Sequence, residues 1–128
     1  MSARHRLSLG LLPQPEEVGA VRRQVRACLG AWRLTGAEDG VPLVVSELVT
    51  NAMRHAPCPA IGLTVTAGDA ELLIEVRDGS GTPPVMRLAS GPEGEDGRGL
   101  PLVHALSRDW GWTPHDDGAK TTWAVLPA

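Results

Sequence analysis

The sequence has no phenylalanine and no tyrosine, and its only large aromatic residues are four tryptophans. A core must therefore be assembled from Val, Leu, Ile and Ala, which suits helices packed on a sheet. Cysteine is scarce: Cys28 and Cys58 are the only two. They form no C-x-x-C pair and have no histidine at zinc-finger spacing, so two free thiols in a reducing compartment are expected. A basic block is missing as well. The formal net charge is −3, and Arg22, Arg23 and Arg26 fall on one amphipathic helix as a solvated face. Counterion release onto a phosphate backbone needs clustered Lys and Arg, so nucleic acid is not an expected partner. No stretch approaches the about 20 apolar residues of a membrane span. The N-terminus lacks a long apolar run and a small-residue cleavage site, so no signal peptide is read. A cytoplasmic protein with no membrane partner is expected.

What is present is globular. The chain has 128 residues, 42% of them hydrophobic, the size and composition of one ordinary domain over 1–128. Residues 4–12 alternate loosely through Leu7, Leu9 and Leu11 and read as an edge strand. Pro15-Glu16-Glu17 looks like a first helical turn, with acids at the positive dipole end. Val18, Val21, Val25, Leu29 and Trp32 then make one apolar stripe. A second helix is predicted from about Glu38 to His55, with Val41, Val44, Val45, Leu48, Val49 and Ala52 on its apolar face. Pro57 and Pro59 stop it.

Ile61, Leu63 and Val65 alternate with polar or small residues, as do Leu72, Ile74 and Val76 after the turn at Gly68-Asp69. These are two strands of a hairpin. Residues 78–99, rich in glycine and proline, read as a mobile surface loop. A third helix begins near Gly99, and 109–114 with 120–126 form a closing hairpin. The predicted fold is α/β (α+β): a two-layer sandwich with a mixed, mostly antiparallel sheet and helices on one face.

Four places stand out for chemistry. Glu47, Asn51 and His55 are spaced i, i+4, i+8 and share one side of the second helix. Such a pattern alone is most often a solvated polar edge; the functional alternative aims a carboxylate and an amide oxygen at a Mg²⁺-bound phosphate, since Mg²⁺ takes oxygen ligands. His55 reads as structural or at the rim. Asp78 continues the phase of Leu72, Ile74 and Val76, so it lies on the apolar face of its strand. It either caps its own turn or accepts a hydrogen bond from a ligand amine such as that of adenine. Gly97-Arg98-Gly99-Leu100 at a helix entry lets backbone approach a phosphate, or is simply a flexible cap. Thr121, Trp123 and Val125 share a face of the last strand, where Thr121 is either an ordinary β-branched strand residue or an inward hydroxyl whose partner is a water beside Asp78.

In order along the chain, these segments resemble the ATPase domain shared by gyrase, sensor histidine kinases and bacterial serine-kinase anti-sigma factors, the GHKL type with the Bergerat ATP-binding fold. The N-box resembles Glu47-Leu48-Val49-Thr50-Asn51-Ala52-Met53-Arg54-His55-Ala56. The first glycine box is similar to Asp78-Gly79-Ser80-Gly81, with Ser80 where the family usually has glycine. The second resembles Gly97-Arg98-Gly99-Leu100, and the terminal box Gly118-Ala119-Lys120-Thr121-Thr122-Trp123. The closest resemblance is to the single-domain anti-sigma kinases abundant in actinomycetes.

The resemblance implies ATP and Mg²⁺ as cofactors. It gives Asn51 to Mg²⁺ and Glu47 to the base that takes the proton of an attacking serine or threonine hydroxyl. Asp78, Gly79, Gly81, Gly97, Arg98, Gly99, Leu100 and Thr121 would surround the nucleotide. It further implies a protein serine/threonine kinase whose acceptor is an anti-sigma-antagonist protein, with a sigma factor as a second partner and a homodimer as the assembly. Two other readings stay open: a nucleotide-binding regulatory module acting by contact alone, and an ATPase without a protein acceptor.

Overall fold

The computed structural model describes residues 3–55, 60–79 and 99–128. Strand β1 (His5–Leu11) is followed by α1 (Glu16–Ala31), a 3₁₀ turn at Thr35–Ala37 and α2 (Gly40–His55). The hairpin β2 (Ile61–Ala67) and β3 (Glu71–Asp78) comes next, then α3 (Gly99–Leu106) and the hairpin β4 (Asp109–Pro114) and β5 (Lys120–Pro127). The five strands form one sheet in the order β1-β2-β3-β5-β4. Every pairing among the described residues is antiparallel, so the mostly antiparallel sheet expected from the sequence holds no parallel pair there. The reason is that β5 returns as a hairpin and inserts between β3 and β4, separating the two strands that run the same way.

The periodicities explain the layers. Ile61, Leu63, Val65 and Ala67 of β2, and Leu72, Ile74 and Val76 of β3, are all buried, as a half-buried strand with period two requires. Val21, Val25 and Leu29 bury one stripe of α1. On α2 the stripe is wider, running through Val41, Val44, Val45, Leu48, Val49 and Ala52. That helix is central: it packs on β2, β3 and β5 and touches both α1 and α3. The arginine face of α1 is exposed as expected, yet Arg22 reaches across to α2, where its Nε donates to Ser46 Oγ at 2.8 Å. Ser46 Oγ in turn donates to the Pro42 carbonyl at 2.9 Å.

Helix α1 begins with Glu16 and Glu17 in its first turn, and ends where Arg33 takes a left-handed φ of 61°. The Leu34 N–H closes that end on the Leu29 carbonyl. Trp32 stacks on His5 with ring centroids 5.2 Å apart, tying the edge strand to the helix end. Among the described residues, no helix is long and apolar enough to cross a membrane.

Candidate functional site

The site grows from the ends of β3 and β5. Residues directly opposite in an antiparallel pair point to the same face. Val76 faces Thr122, and Asp78 faces Lys120. Since Val76 and Asp78 point under the helices, Lys120 and Thr122 do too, and all four are almost completely buried. Lys120 Nζ donates to Asp78 Oδ1 at 3.0 Å and to Oδ2 at 2.9 Å. Two opposite charges are thus held in the wall between sheet and helices, one residue from the exposed bend at Gly79. A buried charge persists only when paired and hydrogen-bonded, and this arrangement satisfies both conditions.

Asp78 therefore lies where its strand phase put it. Its amine partner in this structure is Lys120, whose role sequence reasoning missed. A lysine is rarely placed inside by default. The available signal was its register: the turn between β4 and β5 sets Lys120 opposite Asp78.

Thr121 needs correction. It faces Arg77 and lies on the outer surface of the sheet, where its Oγ1 hydrogen-bonds His115 Nε2 at 2.7 Å. It lines a shallow polar depression there with Arg6, Glu75 and Arg77. The large apolar residues Trp123 and Val125 suggested that their face was the inner one. The inner face instead carries Lys120, Thr122, Ala124 and Leu126. The inward hydroxyl is that of Thr122, and its buried Oγ1 has no hydrogen-bond partner among the described residues.

Above this wall lies α2. Glu47 and Asn51 are half-buried, one helical turn apart, amid the buried Leu48, Val49 and Ala52. The Asn51 amide Nδ2 is also buried without a hydrogen-bond partner among the described residues. Buried polar groups are nearly always satisfied, so two orphans on facing elements call for a ligand or ordered water. An amide offers a donor and an acceptor together, which fits a phosphate oxygen and an oxygen-loving cation. Gly99 and Leu100 open α3. Gly81, Gly97, Arg98 and the expected loop 82–96 lie outside the described residues, as does the side chain of His55. Cys28 is a free thiol; Cys58 is outside the described residues. No cluster of His, Cys, Asp and Glu suited to holding a metal on its own occurs among the described residues.

The sequence matches the family model of the histidine kinase-like ATPase domain over residues 11–125. The chain belongs to the histidine kinase-like ATPase domain family. No curated protein matches the sequence. In this ATPase domain the antiparallel sheet and its single helical layer are those of the GHKL-type ATP-binding fold, and ATP is the ligand that the family implies. The wall made by Asp78, Lys120 and Thr122 and the polar side of α2 belong to this ATPase domain's matched region.

Proposed function

We propose that this ATPase domain is an ATP-dependent serine/threonine protein kinase acting on an anti-sigma-antagonist protein in the cytoplasm, and that it also contacts a sigma factor. The observation that carries the reading is the half-buried pair Glu47 and Asn51, one turn apart on the helix that packs over β3 and β5. The orphaned Asn51 amide supports a phosphate-side role, and the buried Asp78 with the orphaned Thr122 hydroxyl supports a base-side role.

In this reading Asp78 would accept from the adenine amine and Asn51 would hold Mg²⁺, which would neutralise charge on the phosphates. Phosphoryl transfer asks a protein mainly for positioning and charge stabilisation. Glu47 is the base: its carboxylate takes the proton of the acceptor hydroxyl, whose oxygen bonds to the terminal phosphorus as the bond to the ADP oxygen breaks. A positioned base contributes about 10²–10⁴-fold.

The test is single-turnover transfer from radiolabelled ATP to candidate antagonist proteins captured from the source cell. Glu47→Gln is expected to keep ATP affinity and to slow transfer by about 10²-fold or more. Transfer at the wild-type rate in Glu47→Gln removes Glu47 as the base. Phosphate release without a protein acceptor favours a plain ATPase, and ATP binding with neither reaction favours a module acting by contact alone.

A further inference from the structure

We infer that Lys120 reads the nucleotide base together with Asp78, by exchanging one of its two hydrogen bonds to the carboxylate for one to the ring N1 of adenine. The inference rests on the ATP reading above. It starts from a pair that stability alone does not explain. Replacing a buried ion pair by well-packed apolar residues is often neutral or stabilising, yet here Lys120 and Asp78 sit opposite each other with almost no solvent contact. Beside them on the same inner face Thr122 Oγ1 is buried without a partner. The orphaned hydroxyl beside the pair calls for a polar partner on this inner face.

The exchange conserves hydrogen bonds. Nζ now donates to both oxygens of Asp78, at 3.0 and 2.9 Å. The Watson–Crick edge of adenine places an amine donor next to a ring-nitrogen acceptor. When the amine donates to one Asp78 oxygen, the Lys120 N–H that held that oxygen turns to N1. The ammonium keeps its bond to the other oxygen. No buried donor is orphaned, and the charge pair stays intact. An acceptor and a donor held within 3.0 Å of each other are thus a counterpart to adenine's adjacent donor and acceptor. Lys120 is then a specificity-determining residue of the base pocket.

The experiment compares the affinity of the whole chain for ATP and for 1-deaza-ATP, which keeps the amine and the shape but has C–H at position 1. The wild type is expected to bind ATP about 10-fold tighter or more, the scale of a hydrogen bond from a charged donor. Lys120→Met should erase that preference, whereas a merely structural loss would weaken both nucleotides equally. Thr122→Val gives a second arm that does not depend on Lys120→Met folding. A preference retained in Thr122→Val supports direct reading by Lys120, and one that collapses there assigns N1 to a water on Thr122 and overturns the inference. Equal wild-type affinity for ATP and 1-deaza-ATP overturns the inference and leaves the ATP reading standing. Binding of neither nucleotide removes both.

Discussion

Asp78 and Lys120 face each other at the ends of β3 and β5, with the lysine Nζ within 3.0 Å of both carboxylate oxygens and both side chains sealed from solvent. The pair carries a cost if it is broken. Asp78→Asn leaves a buried ammonium without its counter-charge, which is expected to destabilise the fold by about 3–5 kcal/mol. The double variant Asp78→Asn with Lys120→Met removes both charges and should recover most of that loss. Urea unfolding of the two variants checks this. If Asp78→Asn unfolds at the wild-type midpoint, the pair is not a closed buried ion pair.

Thr122 and Thr121 should behave in opposite ways. Thr122→Val deletes a buried hydroxyl that has no partner among the described residues, so the free protein should gain about 1 kcal/mol while losing affinity for ATP. Thr121→Val removes only the outer-face bond to His115 and should leave ATP affinity unchanged. A thermal melt and an ATP titration on each variant read the two effects. Equal loss of ATP binding in both variants would contradict the assignment of faces.

The end of α1 offers a backbone test remote from the site. Arg33 holds a φ of 61°, a left-handed conformation that costs a residue with a Cβ about 1–2 kcal/mol. Glycine escapes that cost but loses about 0.5–1 kcal/mol more chain entropy on folding. Arg33→Gly is therefore expected to raise stability by about 0.5–1 kcal/mol, measured by urea unfolding, with ATP affinity unchanged.

The turn before β5 carries an acid-sensitive contact. The Asp117 carboxyl is held below its ordinary value of 3.8, chiefly by the hydrogen bond from the Ala119 N–H, which with the charge and hydrogen bond of Arg77 outweighs the opposing effect of desolvation. The folded chain thus binds this proton more weakly than the unfolded chain. The stabilisation is present above the unfolded value of 3.8 and is lost as pH falls through the lower folded value. Asp117→Asn should melt below the wild type near neutral pH, and the gap should close as pH falls to about 2. A gap that does not depend on pH would assign the effect to the loop backbone instead.

The sequence made most of the scaffold legible because its signals are local. Alternation in 61–67 and 71–78 marks both strands and the inward phase of Asp78. The stripe from Val41 to Ala52 shows why Glu47 and Asn51 share the polar edge of α2. Strand β5 was harder, since both of its faces carry apolar residues: Trp123 and Val125 on one, Ala124 and Leu126 on the other. Size favours the wrong face. The large ring of Trp123 lies outside, against Gly111, where an added Cβ would come within 2.9 Å of Trp123 Cζ2. Only the register against β3 resolves the phase, and that is a long-range fact. The same register hides Lys120, whose burial makes sense only once Asp78 stands opposite.

The most direct test of the account is a calorimetric titration of Mg-ATP into the wild type, Asn51→Ala and Thr122→Val, with thermal stability measured in parallel. Saturable one-to-one binding is expected in the wild type. Each substitution should weaken it about 10-fold or more without lowering stability, because each removes a buried polar group that has no hydrogen-bond partner among the described residues. Wild-type protein that takes up no Mg-ATP, or variants that bind it as tightly as the wild type, would contradict the claim that the orphaned groups on α2 and β5 form a nucleotide site.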